Sequence, residues 1–131
     1  MATTEQINGV PFEVFIPQEV NRIFQQNRII LIDVRTPQEY AFEYIPGAML
    51  FPMASFDPEK LPSQNEKPII FHCGSGRRSR IVAQQCADAG ILQIAHMEGG
   101  LGAWKAAGYL YAAIDPATGG YIQRPSGTEG Q

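Results

Sequence analysis

Cysteine and histidine are both scarce: the 131 residues include two cysteines, Cys73 and Cys86, and two histidines, His72 and His96. So few cysteines exclude a disulfide-stapled secreted scaffold and a cysteine-rich zinc module. With no cysteine cluster to join the two histidines, no metal site is expected. Positive charge is also short. Ten Lys and Arg against thirteen Asp and Glu leave a formal net charge of −3, the opposite of the basic footprint that nucleic-acid binding requires. No apolar run approaches the ~20 residues of a membrane span. The opening Met1-Ala2-Thr3-Thr4-Glu5-Gln6 has neither the basic nor the apolar part of a secretory signal, so a cytoplasmic location is expected. Apolar material is not lacking: 44% of the residues are hydrophobic. A chain of this length buries roughly two-thirds of its unfolded surface, enough for one domain with a core and no covalent staples.

Two continuous apolar runs, residues 28–34 and 68–72, read as strands covered on both faces, and 48–51 and 92–96 as shorter ones. Helical signals lie between them. Residues 17–26 put Val20, Ile23 and Phe24 on one face. Thr36-Pro37-Gln38-Glu39 has the form of a capping box with proline at the first helical position. A helix is predicted over 77–89, with Gly90 past its end, and another over 100–107, ending at Gly108. Strand and helix alternate, which predicts an α/β fold around a mostly parallel sheet with helices on both faces. Residues 116–131, rich in Gly, Pro, Ser and Thr, read as a loose tail on which only Tyr121 and Ile122 offer something to dock.

The segment with the most chemistry is His72-Cys73-Gly74-Ser75-Gly76-Arg77-Arg78-Ser79. A cysteine closes a buried strand, a glycine-bearing loop follows, and a helix begins at once. Ligands of open α/β sheets bind beyond the carboxyl ends of the strands, where this sulfur is expected. Gly74 and Gly76 allow successive N–H groups to turn inward as an anion nest. The helix N-terminus and the charges of Arg77 and Arg78 favour the same anion. All of this favours a thiolate at Cys73. A drop of about two pKa units, worth about 2.7 kcal/mol, would leave most of an ordinary thiol ionised at neutral pH.

Several motifs in order resemble the single-domain rhodaneses, the thiosulfate sulfurtransferases. Cys73-Gly74-Ser75-Gly76-Arg77-Arg78-Ser79 is similar to their Cys-x-x-Gly-x-Arg-Ser loop. Asp33-Val34-Arg35 with Glu39-Tyr40 is similar to their Asp-Val-Arg segment. Ile45-Pro46-Gly47-Ala48 and Glu98-Gly99-Gly100 before Trp104 match two further motifs. The resemblance implies a rhodanese-like fold, with a lead-in over 1–16, the domain over 17–111 and a tail over 112–131. It also implies sulfur transfer through a persulfide on Cys73, cradled by the loop amides of residues 74–79. The donor would be a small anion such as thiosulfate and the acceptor cyanide or a thiol, that of a protein included. No metal or organic cofactor is implied. Residues 43 and 44 depart from the family: Glu43-Tyr44 stand where Gly-His is common. Arg78 is the loop arginine expected to contact the donor, and Arg77 either joins it or stays solvated. Arg35 is expected to line the entrance with Asp33 orienting loop groups, against the alternative that Asp33, Arg35 and Glu39 form a structural ion-pair and capping cluster.

The remaining residues read as structural. His72 points to the face opposite Cys73, His96 sits near a strand end, and Trp104 anchors packing. Cys86 lies about 15 Å along its helix, beyond the ~7 Å Cα separation a disulfide to Cys73 would need. Two other functions share parts of this pattern. A rhodanese-fold phosphatase or arsenate reductase wraps a tetrahedral oxyanion with five residues between Cys and Arg, whereas four separate Cys73 from Arg78. A sulfur-relay module would carry the same persulfide to a protein partner, and the residues do not separate it from a small-molecule enzyme.

Overall fold

The structure, a computed structural model, describes residues 2–125. In chain order the elements are β1 (Thr3–Ile7), β2 (Val10–Phe15), α1 (Pro17–Gln25), β3 (Ile30–Asp33), α2 (Pro37–Phe42), β4 (Glu43–Tyr44), β5 (Met49–Leu50), β6 (Ile69–His72), α3 (Arg77–Asp88), β7 (Ile94–Met97), α4 (Gly100–Ala106), β8 (Tyr111–Ile114) and β9 (Tyr121–Arg124). Six strands form the main sheet in the order β1-β2-β7-β6-β3-β5. All neighbours in it run parallel except the β1–β2 hairpin at one edge. β4, β8 and β9 make a small antiparallel sheet.

The continuous apolar runs become the inner strands because both of their faces are covered. Every residue of β6 and of β7 is buried. On one face Phe71 and Ile32 pack with Val82, Ala83 and Cys86 of α3. On the other, Ile70 and Leu31 pack with Val20 of α1 and with Leu101 and Trp104 of α4. Each fully buried aliphatic of this kind contributes about 1.5–3 kcal/mol over leaving it in water. The capping box at α2 forms as expected: Thr36 Oγ1 accepts from Glu39 N at 3.1 Å, and Glu39 Oε1 accepts from Thr36 N at 3.1 Å. Among the described residues no helix is long and apolar enough to cross a membrane.

The ends of the chain carry more structure than a lead-in and a tail. Asn8 and Gly9, at φ 49° and 77°, make the tight turn of the β1–β2 hairpin, and β2 pairs parallel with β7 inside the main sheet. β8 and β9 pair with each other and, through β8, with β4. Tyr121 does dock: its hydroxyl donates to the Ala41 carbonyl and its ring stands edge-on to Tyr44. The rest of the expected tail, residues 126–131, lies outside the described residues.

Candidate active site

β6 is flanked by β7 and β3, so its end sits where the loops of both neighbours converge. Cys73 follows directly, fully buried, and the chain then turns through Gly74 and Ser75 into α3. Gly76 is the N-cap of α3 at φ 100°, ψ −8°, a left-handed conformation that suits glycine. That turn brings two main-chain donors onto the sulfur: Gly76 N donates to Cys73 Sγ at 3.1 Å and Ser79 N at 3.4 Å. The Ser79 hydroxyl lies 3.7 Å from the same sulfur. Burial would raise the Cys73 pKa, but hydrogen bonding outweighs it: the amides of Ser79, Ser75 and Gly76, with the Ser79 hydroxyl, hold the thiol below its ordinary range. Cys86 is the contrast. It lies buried in α3 with only apolar company, and desolvation pushes its thiol up to about 12.

A second element holds the cradle open from behind. The N-terminus of α4 abuts the loop, with Leu101 N donating to Cys73 O at 2.7 Å and Gly102 N to Gly74 O at 3.0 Å. With their carbonyls engaged from that side, the loop peptides turn N–H groups toward the sulfur. The approach is so close that a Cβ on Gly100 would stand 2.2 Å from the Cys73 carbonyl oxygen. This is the physical demand behind Gly100, which the sequence presents only as part of a motif.

The loop arginines separate. Arg77 is exposed on the rim, beside a shallow depression that also borders Ser75, Arg80, His96 and Glu98. Arg78 turns toward α2, where its two terminal nitrogens donate to the two Glu39 carboxylate oxygens at 2.6 and 2.9 Å. Its hydrogen bonds draw the Glu39 pKa down to about 2. Arg35 does not line an entrance. It is 4% exposed and grips Asp33, with Nη2 on Oδ2 at 2.7 Å and Nε on Oδ1 at 3.0 Å. The same Nη2 reaches the Glu43 carbonyl at 2.7 Å, which ties the main sheet to β4. Asp33 touches no loop amide; its carboxylate faces Arg35 and lies 3.6 Å from His72 Nε2. The structural alternative therefore describes Asp33 and Arg35, while Glu39 both caps α2 and binds Arg78.

His72 is buried on the Asp33 side, its Nδ1 3.2 Å from the Cys73 carbonyl oxygen, and desolvation lowers its pKa. His96 is closer to the chemistry than a strand-end position suggests: its Nδ1 lies 2.7 Å from Ser79 Oγ. The sequence holds no local sign of this, because seventeen positions of chain separate the two residues.

Residues 16–107 match the model of the rhodanese-like domain. An uncharacterized protein of Synechocystis is 38% identical over 108 residues, which cover 82% of this chain and 58% of that protein. The chain thus spans little more than half of that relative. The thiosulfate sulfurtransferase GlpE of Coxiella burnetii is 30% identical over 88 residues, covering 67% of this chain and 82% of the enzyme. Among solved structures, a rhodanese-related protein of Thermoplasma volcanium superposes with a TM-score of 0.66 at 22% identity, covering 75% of this chain and 95% of its own.

Proposed function

This chain belongs to the rhodanese-like domain family, and from that membership we propose that it is a sulfurtransferase working through a persulfide on Cys73. The Cys73 thiolate attacks the outer sulfur of a small anionic donor such as thiosulfate. The new S–S bond forms as the donor's own S–S bond breaks, and sulfite leaves with the bonding pair. A nucleophilic acceptor, cyanide in an assay or a thiol in the cell, then attacks the outer sulfur of the persulfide. The Cys73 thiolate departs, and the site is restored. Both steps pass one neutral sulfur atom between anions, so neither needs a proton donor.

The observation that carries this reading is the set of N–H groups from Gly76 and Ser79 directed at Cys73 Sγ. Such donors stabilise a sulfur anion before and after it gains a second sulfur. The loop of four residues between Cys73 and Arg78 suits one added sulfur atom better than the tetrahedral oxyanion that the longer phosphatase-type loop surrounds. Transfer from thiosulfate to cyanide should be measurable with the native chain and vanish in Cys73→Ser. Intact mass after thiosulfate treatment should show one added sulfur in the native chain and none in the variant. A native chain that takes up no sulfur from any anionic donor would sink the proposal.

A further inference from the structure

The Ser79 hydroxyl has one hydrogen and three neighbours that could receive it. Oγ lies 2.7 Å from His96 Nδ1, 3.2 Å from the Gly76 carbonyl oxygen and 3.7 Å from Cys73 Sγ. What His96 presents at Nδ1 decides the outcome. A bare lone pair there would take the hydrogen through the shortest of the three contacts. An N–H there would instead donate into Oγ and release the serine hydrogen toward the other two.

The opposite edge of the ring discriminates between these tautomers. His96 is 1% exposed, and its Nε2 has no hydrogen-bond partner among the described residues. A buried N–H without a partner is rarer than an under-used acceptor, which favours the neutral tautomer with its hydrogen on Nδ1. The ring is neutral because burial, seconded by Arg80 of α3 and opposed by Glu5 of β1, holds its pKa at about 4. Phe12 of β2 packs against it at 4.8 Å between ring centres and limits its rotation.

We infer that His96 is a positioning residue for Cys73, its Nδ1–H donating to Ser79 Oγ so that the Ser79 hydroxyl is free to donate to the sulfur. Between the two remaining acceptors, an anionic sulfur attracts the hydrogen more strongly than the neutral Gly76 carbonyl. The order is then His96 Nδ1–H to Ser79 Oγ, and Ser79 O–H to Cys73 Sγ. This rests on Cys73 working as a thiolate. It adds a residue from β7 to a site otherwise built by the loop after β6, by α3 and by the N-terminus of α4. The charged groups around the chain of bonds are Arg80 and Glu5 near His96, Arg78 with its partner Glu39 near Cys73, and Asp33 across His72.

The test is to titrate the Cys73 thiolate by its ultraviolet absorbance in the full chain, without any donor, subtracting the Cys73→Ser spectrum. Cys86, at about 12, titrates outside the window. His96→Leu should raise the Cys73 midpoint and cut the thiolate-to-thiol ratio at neutral pH by about five- to tenfold, the scale of one weakened hydrogen bond to a charged group. His96→Asn, whose amide N–H can occupy the Nδ1 position, should restore most of it. In a Ser79→Ala background, His96→Leu should add no further shift. An unmoved midpoint in folded His96→Leu, or an equal shift without the serine hydroxyl, would overturn the inference. Should His96→Leu fail to fold, nitrogen NMR of the native histidines decides: an Nδ1–H tautomer at His96 supports the chain and an Nε2–H tautomer breaks it. Since no donor is present, failure of sulfur uptake and failure of this coupling are separate results.

Discussion

Arg78 commits both terminal nitrogens to the Glu39 carboxylate, so an anion that approaches the loop competes with a carboxylate for the same guanidinium. Removing either partner should therefore change donor binding in opposite directions. Arg78→Ala should raise the KM for thiosulfate by roughly ten- to a hundredfold with kcat less affected, since a charged hydrogen bond contributes about 1.5–3 kcal/mol. Glu39→Gln should lower that KM, and steady-state kinetics at varied thiosulfate would check both. An unchanged KM in Arg78→Ala would restrict the residue to tying α3 to α2. Cys73, its loop and the loop arginine are legible from the amino-acid order alone, because glycines and charges around a strand-end cysteine have a local electrostatic meaning. Arg35 is not. An arginine two residues beyond an aspartate reads the same whether it faces ligand or bends back, and only its burial against Asp33 and the Glu43 carbonyl distinguishes the two.

The short α4 does for the site what its length would not suggest. Its first amides engage the carbonyls of Cys73 and Gly74, and Gly100 allows the two backbones to meet. In Gly100→Ala the new methyl would sit 2.2 Å from the Cys73 oxygen, and the obstructing atom is backbone rather than a movable side chain. The loop has to shift. That variant should lose about 1–3 kcal/mol of stability, the usual cost of overpacking, and its sulfur-transfer rate should fall by more than the lost folded population accounts for. Denaturant midpoints and kcat measured on the same preparation would separate the two effects. β3, β6 and β7 can be anticipated at this level from their apolar runs, and the helices from the apolar face of α1, the capping box of α2 and the glycines that follow α3 and α4. The β1–β2 hairpin lies outside those expectations, although Asn8-Gly9 before alternating Val10, Phe12 and Val14 is a strong turn signal. β8 is hidden for a better reason: its buried centre is Ala112-Ala113, and alanine has little strand preference.

Across the whole molecule, two buried histidines face the same energetic choice from opposite sides of the main sheet. Desolvation lowers the pKa of both, that of His96 to about 4. Between an ordinary value near 6.5 and that lowered one, the unfolded chain binds a proton that the native chain does not, so stability falls as pH falls through this window. For His96 the loss is on the order of 3 kcal/mol by about pH 4, with no further loss from that residue below it. His96→Asn should flatten part of the decline in urea midpoints between about pH 7 and about pH 4, while His72 retains its share. An equally steep decline in the variant would assign the sensitivity elsewhere. Glu39 acts in a lower window: its paired carboxylate supports the fold above the ordinary carboxylate range, and that support is lost as pH falls toward about 2.

The cradle around Cys73 also divides labour between backbone and side chains. The donors that meet the sulfur are mostly peptide groups, which every residue but proline supplies. Ser75 and Arg77 stand outward on the rim, exposed and without a bond to the sulfur through their side chains. Those two positions can therefore change their side chains without disturbing the main-chain groups that hold the Cys73 sulfur.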